Sequence, residues 1–239
     1  MRYVRRSDCV APMSDVGVVL AVHNGEAFLR EALDSIAAQT VQPIDVVAVD
    51  DGSTDESVAM LRAFGIQTLR TDNAGQAVTR DRGIAAVRGD LVAFLDQDDR
   101  WLPDKLAQQV SRLAAEPDLD FVGALSTVFL DAGTERPQWW KPLWDRGVPE
   151  PSLLPSATLY RRSAFERVGG FATDAVRVSE DIAWTARAQD LGLRRAIVEK
   201  VLVQRRIHGH NTSGDQEARV REHLSILRQS LARKRAARG

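Results

Sequence analysis

The sequence of 239 residues holds a single cysteine, Cys9, and no apolar run that approaches the roughly 20 residues of a transmembrane helix. One cysteine excludes an intramolecular disulfide framework and a cysteine-based zinc cluster. Basic residues number 32 and acidic residues 33, so the net charge of −1 gives no overall case for nucleic acid binding. The basic N-terminal segment lacks the apolar core of a secretory signal. These absences predict a reduced, cytoplasmic protein that has no membrane span.

A glycine-rich phosphate loop is also missing. After the first predicted strand the chain reads HNGEAF, residues 23–28. A dehydrogenase would carry G-x-G-x-x-G there, and a nucleotidyltransferase would carry a basic, glycine-rich loop. Both enzyme classes are therefore disfavoured, and other residues must carry the function.

What the first hundred residues do contain is a regular alternation of strands and helices. Short apolar runs predict strands at 16–22, 44–50, 66–71 and 91–96. Helical spacing and capping residues predict helices at about 25–39, from 53 onward, and at about 76–88. This alternation is typical of an α/β fold, a doubly wound sheet of parallel strands with helical crossovers. Ligands of such sheets bind at the carboxyl ends of the strands.

The second half of the chain is more mixed. A helix is predicted between Pro103 and Pro117, and one or two strands follow at 119–131. Residues 133–156 contain five prolines and three tryptophans and predict a long functional loop. Two further helices are predicted at 161–169 and 179–193. A strand pair or one long strand follows at 194–208, and a last helix begins at about 215. Because no linker interrupts the pattern, we predict one domain.

Two of the predicted strands end in acidic residues. Asp96 and Asp98 lie two positions apart at a strand end, so both carboxylates can reach one hard cation, such as magnesium or manganese. The alternative is a polar turn in which Asp99 caps the next segment. Asp51 can accept hydrogen bonds from a nucleotide base or ribose, or it can belong with Ser53 to the start of a helix.

Two other segments carry candidate residues. Gly75 allows close approach of the backbone to a ligand, and Arg80 can pair with a phosphate or with Asp51, unless it belongs to a solvated helix face. Glu180 and Asp181 follow a predicted cap, Ser179. There they either stabilise the helix dipole or supply a general base.

Aromatic and basic residues leave further alternatives open. His208 follows a predicted strand and is either a metal ligand, a phosphate donor or a surface residue. Trp139, Trp140 and Trp144 either stack on a sugar and cover a site or pack on the core. The basic tail LARKRAARG, residues 231–239, either contacts anionic lipid or is a frayed, solvated helix end.

Taken together, these segments carry a resemblance to a known family. The stretches VVLAVHNGEAFLREALDSIAAQT, VVAVDDGSTDES, NAGQAVTRDRGIAAVRGDLVAFLDQDD, GGFATDAVRVSEDIAW and RIHGHNTS resemble the family-two glycosyltransferases with the GT-A fold. The resemblance covers about residues 16–213. It implies a Rossmann-like, three-layer α/β/α fold with a mostly parallel sheet, and transfer of a sugar from a nucleotide diphosphate donor with inversion at the anomeric carbon.

The resemblance also implies roles for individual residues. The residues expected to contact the donor are Val22, His23, Asn24, Asp50, Asp51, Gly75, Arg80, Asp96 and Gln97. Asp98 and His208 are expected to bind Mn²⁺ or Mg²⁺, and Asp181, with Glu180 beside it, is expected to be the catalytic base. Asp81 stands where members commonly have asparagine. We expect Asp51, Asp98 and Asp181 to line one cavity.

The resemblance divides the single domain, residues 1–239, into a nucleotide-binding half at about 16–100, an acceptor-binding half at about 101–213 and a C-terminal helix at about 215–237. A UDP-sugar is the expected donor. The acceptor is a saccharide, a peptide, a lipid-linked sugar or another small molecule, and the sequence does not indicate the oligomeric state. The alternative function is a non-catalytic nucleotide-sugar-binding protein, which would lack turnover.

Overall fold

The computed structural model describes residues 15–173, 176–209, 211 and 216–236. The strands are β1 (Val16–Val22), β2 (Asp45–Asp50), β3 (Gln67–Arg70), β4 (Leu91–Asp96), β5 (Arg100–Trp101), β6 (Phe121–Leu130), β7 (Glu150–Ser152), β8 (Leu159–Arg161) and β9 (Arg195–Ile207). The helices are α1 (Leu29–Ala37), α2 (Ser57–Ala63), α3 (Gln76–Ala86), α4 (Lys105–Ala115), α5 (Pro142–Asp145), α6 (Arg162–Val168), α7 (Glu180–Asp190) and α8 (Gln216–Ala236). Cys9, the basic N-terminal segment before Asp15 and the last three residues of the tail lie outside the described residues.

The strands form one mixed sheet in which the longest ladders are parallel. Its order is β3-β2-β1-β4-β8-β6-β9-β5, and β7 pairs with β6. The β3, β2, β1 and β4 strands run parallel to one another, and β6 runs parallel to β9 along ten residues of β6. The β8 strand, antiparallel to both β4 and β6, joins the two parallel parts. The predicted α/β class with a mostly parallel sheet is confirmed.

Helices cover both faces of this sheet because successive strand residues point to opposite sides. Val18 and Leu20 pack with α1, α2 and α4 on one face. Val19, between them in β1, packs with α3, α6 and α7 on the other face. Both faces of β1 are therefore buried, which accounts for a continuous apolar run without alternation.

Aromatic rings fill the second of these cores. Phe94, Phe121, Tyr160, Phe165, Phe171 and Trp184 contact one another with ring centroids 5.1–6.4 Å apart. The Trp184 indole N–H donates to the carbonyl oxygen of Gly169 at 2.9 Å. This bond and the ring packing fix the end of α6 and the following loop against α7.

Asp81 holds the loop after α6 against α3. Its two carboxylate oxygens accept the backbone N–H groups of Phe171 and Ala172 at 2.7 and 2.9 Å. A Cβ atom at Gly170 would lie 2.4 Å from this carboxylate, so only glycine fits there. A carboxylate can accept both N–H groups, whereas asparagine has a single acceptor oxygen. This geometry explains why aspartate suits the position where the resembling family commonly has asparagine.

Of the two helix caps predicted from the sequence, the one at Ser53 is wrong, whereas Ser179 stands at the predicted N-cap position of α7 without making a capping bond. The α2 helix begins at Ser57 rather than at residue 53, and Ser53 Oγ instead accepts the backbone N–H of Asn24 at 2.9 Å. Ser179 makes no capping bond to α7, and within the described residues its Oγ has no hydrogen-bond partner. Ser53 is unavailable as a cap because it holds the loop after β1.

Residues 133–156 are only partly the long loop that their composition predicts. They contain α5 and β7, and a 3₁₀ turn begins at Pro155. Trp144 is 8% exposed and makes edge-to-face contacts with Trp139 and Trp140. The tryptophans thus pack on the ends of β6 and β9, near Val128 and Ile207. None of the described helices is long and apolar enough to cross a membrane.

Lys105, at the start of α4, is fully buried. Its Nζ donates to Gln109 Oε1 at 2.8 Å and lies 4.2 Å from the centre of the Trp101 ring. Burial lowers the pKa of this amine well below its ordinary value of 10.5. The folded protein therefore binds fewer protons at this position than the unfolded chain at every pH between the two pKa values.

We expect the free energy of unfolding to rise with pH towards 10.5 through Lys105, because the unfolded chain binds the extra proton in this window. The slope from one such group reaches at most about 1.4 kcal/mol per pH unit. In Lys105→Met this contribution disappears. Urea unfolding of both proteins between pH 7 and pH 10 measures the difference, with Lys200→Met, at an exposed lysine, as the control. Parallel pH profiles for wild type and Lys105→Met would contradict a lowered pKa of the buried amine.

Candidate active site

A buried arginine joins the carboxyl end of the sheet to the start of α7. Arg80 of α3, with 3% of its side chain exposed, donates from Nη2 to Asp96 Oδ1 at 2.7 Å and from Nη1 to Glu180 Oε1 at 2.5 Å. Burial raises the pKa of Glu180, although the Arg80 charge opposes this. Burial acts likewise on Asp96, but the charge and hydrogen bond of Arg80 outweigh it and lower the pKa of Asp96. The predicted pairing of Arg80 with Asp51 is wrong.

Asp96 also contacts two residues that the sequence did not single out. Ser156 Oγ donates to Asp96 Oδ2 at 3.0 Å and accepts the backbone N–H of Asp96 at 3.1 Å. Gln76 Nε2 donates to Asp96 Oδ1 at 3.3 Å. Ser156 lies in the 3₁₀ turn of the proline-rich segment, 60 residues along the chain, and nothing in the local sequence marks it.

Asp51 is held by the loop that precedes α3. Its carboxylate accepts hydrogen bonds from Thr71 Oγ1 and from the backbone N–H groups of Ala74 and Gly75, at 2.6–2.8 Å. Burial opposes ionisation, but these three bonds outweigh it and lower the pKa of Asp51. Gly75 has φ 88°, in the left-handed region, so glycine is needed there for the backbone conformation.

Asp50 has a different place from the one expected. It is fully buried, accepts the backbone N–H of Ser53 at 3.1 Å, and lies 3.3 Å from an Arg70 guanidinium nitrogen. A side chain without exposed surface cannot reach a nucleotide. The contact expected between Asp50 and the donor is therefore replaced by a supporting role at the β2 end.

The residues after β1 and β4 hold each other in place. Gln97 accepts the backbone N–H of His23 and donates to its carbonyl oxygen, both at 2.8 Å. Asn24 has φ 48° and accepts the backbone N–H of Thr54 at 2.8 Å. The Val22 carbonyl oxygen accepts the Asp51 N–H at 2.7 Å. The side chains of Asn24 and Gln97 thus shape the edge of the site.

Asp98 turns away from Asp96, towards the end of β9. Its Oδ2 lies 3.0 Å from His208 Nε2 and accepts Asn211 Nδ2 at 3.0 Å. One carboxylate oxygen and one imidazole nitrogen therefore meet at the same point. Among the described residues there is no group of three or more metal-ligating side chains. This donor set fits a divalent cation that shares its coordination with substrate oxygens and water, as magnesium usually does.

Arg206 fixes the chain on either side of this pair. Its Nε donates to the Asp98 carbonyl oxygen, and its backbone N–H donates to Asp99 Oδ1, both at 3.1 Å. The guanidinium also pairs with Asp131 and lies over the Phe28 ring. Asp99 is buried, and burial with the neighbouring carboxylates raises its pKa well above the ordinary value. It therefore supports the β9 end rather than capping the next segment.

Asp181 lines a cavity of about 680 Å³. Its Oδ1 accepts the backbone N–H of Ile182 at 2.8 Å, and the side chain is half-buried. Asp96, Gln76, Arg80 and Glu180 line the inner end of the cavity. Its outer walls come from β6, β9, α5, β7 and α8, through residues that include Lys141, Trp144, Arg205, Arg219, His223 and Leu227.

The expectation that Asp51, Asp98 and Asp181 line one cavity is wrong. Asp181 lines it together with Asp96, but Asp51 and Asp98 do not. Asp51 points into the loop before α3, and Asp98 points towards His208. Asp51 is linked to the cavity through Gly75, which precedes the lining residue Gln76, and Asp98 is linked to it through Asp96, two residues earlier in the chain. The α8 wall was also not expected, because no motif in that segment indicated a part in the site.

Comparison with known proteins adds the following findings. Residues 17–169 match the family described as Glycosyl transferase family 2. The chain is 29% identical to the uncharacterized glycosyltransferase alr2836 of Nostoc sp. (strain PCC 7120 / SAG 25.82 / UTEX 2576) over 242 aligned residues, 90% of this chain and 74% of that protein. It spans only about a third to about half of two Bacillus subtilis (strain 168) relatives that it also matches.

Two solved structures share the fold. S. aureus TarS 1–349 in complex with UDP-GlcNAc superposes with a TM-score of 0.71 at 18% identity, covering 92% of this chain and 66% of TarS. The mannosyltransferase PcManGT from Pyrobaculum calidifontis, in complex with GDP-Man and Mn²⁺, gives a TM-score of 0.71 at 18% identity, covering 93% of this chain and 65% of PcManGT. The predicted GT-A fold is confirmed.

We expect Arg80→Met to lower the free energy of unfolding by about 3–5 kcal/mol, because it leaves the buried carboxylate of Glu180 and the partly buried carboxylate of Asp96 without their cation. Arg82→Met, on the exposed face of the same helix, is the control and should change stability by about 0.5 kcal/mol or less. Urea unfolding at neutral pH measures both. Equal stabilities of the two variants would show that the buried arginine does not hold this site together.

Proposed function

Since the chain belongs to glycosyl transferase family 2, we propose that it transfers a sugar from a nucleotide diphosphate sugar to a nucleophile on an acceptor. The observation that carries this proposal is the shared cavity of Asp96, at the carboxyl end of β4, and Asp181, in the first turn of α7. Ligands of parallel sheets bind at this edge. A donor at the strand ends would therefore face a carboxylate of the other half of the protein.

The donor is proposed to lie along the ends of β1, β2 and β4. Asp51 is the residue proposed to contact the base, with His23 beside it, since His23 Nδ1 lies 2.8 Å from the Asp51 carbonyl oxygen. Gly75 and Gln76 border the path from there to the cavity. TarS was solved with UDP-GlcNAc and PcManGT with GDP-Man, which supports a nucleotide diphosphate sugar. The resemblance favours a UDP-sugar.

Asp181 is proposed as the general base. Glu180 already pairs with Arg80 in a buried site, whereas Asp181 is half-buried and faces the cavity. A carboxylate oxygen of Asp181 would take the proton of the acceptor as the acceptor oxygen attacks the anomeric carbon. The bond to the nucleotide diphosphate breaks on the opposite face. A single displacement of this kind inverts the configuration without a covalent enzyme intermediate, and Glu180 acts by positioning Arg80 and Asp96.

Asp98 and His208 are proposed to hold a divalent cation, Mn²⁺ or Mg²⁺. Their donor atoms meet within 3.0 Å, and Asn211 and Arg206 orient the segments that carry them. A cation in this position supplies positive charge that stabilises a leaving diphosphate. PcManGT was solved with Mn²⁺, which supports the choice of metal class.

We expect Asp181→Asn to lower the rate of sugar release from the donor by about 10²- to 10⁴-fold, because the amide cannot accept the proton. Donor hydrolysis in the absence of acceptor measures this, since water replaces the acceptor. Affinity for the nucleotide diphosphate, measured by calorimetry, should change little, and Asp118→Asn, at an exposed carboxylate, is the control. Turnover by Asp181→Asn at the wild-type rate would refute the assignment of Asp181 as the general base. No turnover by wild type with bound donor would favour a non-catalytic binding protein.

We expect chelation by EDTA to abolish donor-induced thermal stabilisation and Mn²⁺ or Mg²⁺ to restore it. A donor at a hundred times its dissociation constant stabilises the protein by about 2.7 kcal/mol. A panel of UDP- and GDP-sugars therefore also identifies the nucleotide that the protein prefers. His208→Ala should need more Mn²⁺ than wild type for the same shift, whereas His223→Ala should not. Full donor binding and turnover after treatment with EDTA would refute the proposed metal site.

A further inference from the structure

The outward face of α8 carries a row of exposed apolar side chains. Val220, Leu224, Leu227 and Leu231 are 59%, 51%, 60% and 56% exposed. Their spacing of four, three and four residues places them on one face of the helix. Ile226 packs instead against Val176 and Ala183, so it marks the inner face. We call the four exposed residues the α8 stripe.

Arginines border the α8 stripe along one edge. Arg221, Arg228 and Arg235 recur every seven residues, about two helical turns, and all three are exposed. Within the described part of the chain, none of them forms an ion pair. Of the acidic residues of α8, Glu222 is turned inward and accepts the backbone N–H groups of Arg177 and Val178. Glu217, the other acidic residue, is exposed beside the three arginines. The outer surface of the helix is therefore apolar with a net positive charge.

This charge pattern does not suit pairing with a second copy of α8. The spacing of the α8 stripe is that of a two-stranded coiled coil, in which the residues flanking the stripe meet those of the partner helix. One edge carries Arg221, Arg228 and Arg235 with a single carboxylate, Glu217, and the other carries His223, Ser230 and Lys234. Each edge of the helix therefore has a net positive charge, and a second copy of α8 would bring like charges together. An anionic surface offers the complement to all three arginines.

The α8 stripe is continuous with the cavity that Asp181 lines. Leu227 belongs to the stripe and also lines the cavity. Ile182, 37% exposed and next to Asp181, lines the cavity as well. A surface that covers the α8 stripe would therefore lie beside the opening that leads to Asp181.

We propose that α8 docks on an anionic lipid bilayer and holds the cavity opening against the membrane surface. The leucines enter the boundary between headgroups and acyl chains, while the arginines extend their long side chains to lipid phosphates. Acceptors carried by the bilayer would then lie closer to Asp181 than acceptors in solution. This statement about acceptors rests on the proposed function, whereas the docking of α8 does not.

Sedimentation with lipid vesicles tests the docking without donor or turnover. Wild-type protein should sediment with phosphatidylcholine vesicles that contain about 30% phosphatidylglycerol and remain in solution with phosphatidylcholine alone. Salt at about 0.5 M should release it, because ions screen the attraction between arginine and phosphate. Loss of transfer in other assays would leave this result unchanged, so the two proposals fail separately.

Two double variants separate the apolar and basic contributions. Leu224→Gln with Leu231→Gln should lower partitioning to anionic vesicles by about tenfold or more, since both side chains lose apolar contact with lipid. Arg221→Gln with Arg228→Gln should remove the preference for anionic vesicles. Ile44→Gln, at an exposed apolar residue before β2, is the matched control and should bind like wild type. Donor hydrolysis by the leucine variant should stay at the wild-type level, which also shows that it is folded.

Three outcomes would overturn the proposal. Wild-type protein that stays in solution with anionic vesicles excludes docking. Equal binding by wild type and the Leu224→Gln, Leu231→Gln variant would show that the α8 stripe does not contact the lipid. A dimer, detected by light scattering, that this variant dissociates would assign the α8 stripe to a second copy of the chain.

Discussion

The ion pairs of Arg80 are the constraint on which the rest of the site depends. A guanidinium that is almost sealed from water is stable only when carboxylates surround it, and here they come from β4 and from α7. Three elements from distant parts of the chain must therefore meet at one point. Because Asp181 follows Glu180 directly in α7, the same ion pair sets where Asp181 enters the cavity.

The acidic residues divide according to their access to water. Asp50, Asp99 and Glu180 are buried, and each is bound by partners that hold a strand end or a helix start. Asp98 and Asp181 keep part of their surface exposed and face an imidazole and a cavity, respectively. A high density of aspartate at the strand ends is thus mostly structural support around a few carboxylates that can reach a ligand.

The sequence predicted those features that depend on neighbouring residues. Buried strands such as β1 and β4 could be read from short apolar runs, because burial on both faces leaves a local pattern. The bond between Arg80 and Glu180 could not, since 100 residues separate them and only the folded chain brings them together. The predicted cap at Ser53 failed for a related reason. A serine that suits a helix start can equally hold a distant loop.

The close contact between the Asp81 carboxylate and Gly170 restricts which substitutions this sequence can accept during evolution. Asp81 fits because its two oxygens meet two N–H groups, and Gly170 fits because a side chain there would collide with that carboxylate. A replacement at either position alone loses the arrangement. The neighbouring Arg80 is also bound, by ion pairs to Asp96 and Glu180. Divergence at these positions therefore has to proceed by coordinated substitutions, whereas the solvent-facing residues of the same helix can drift independently.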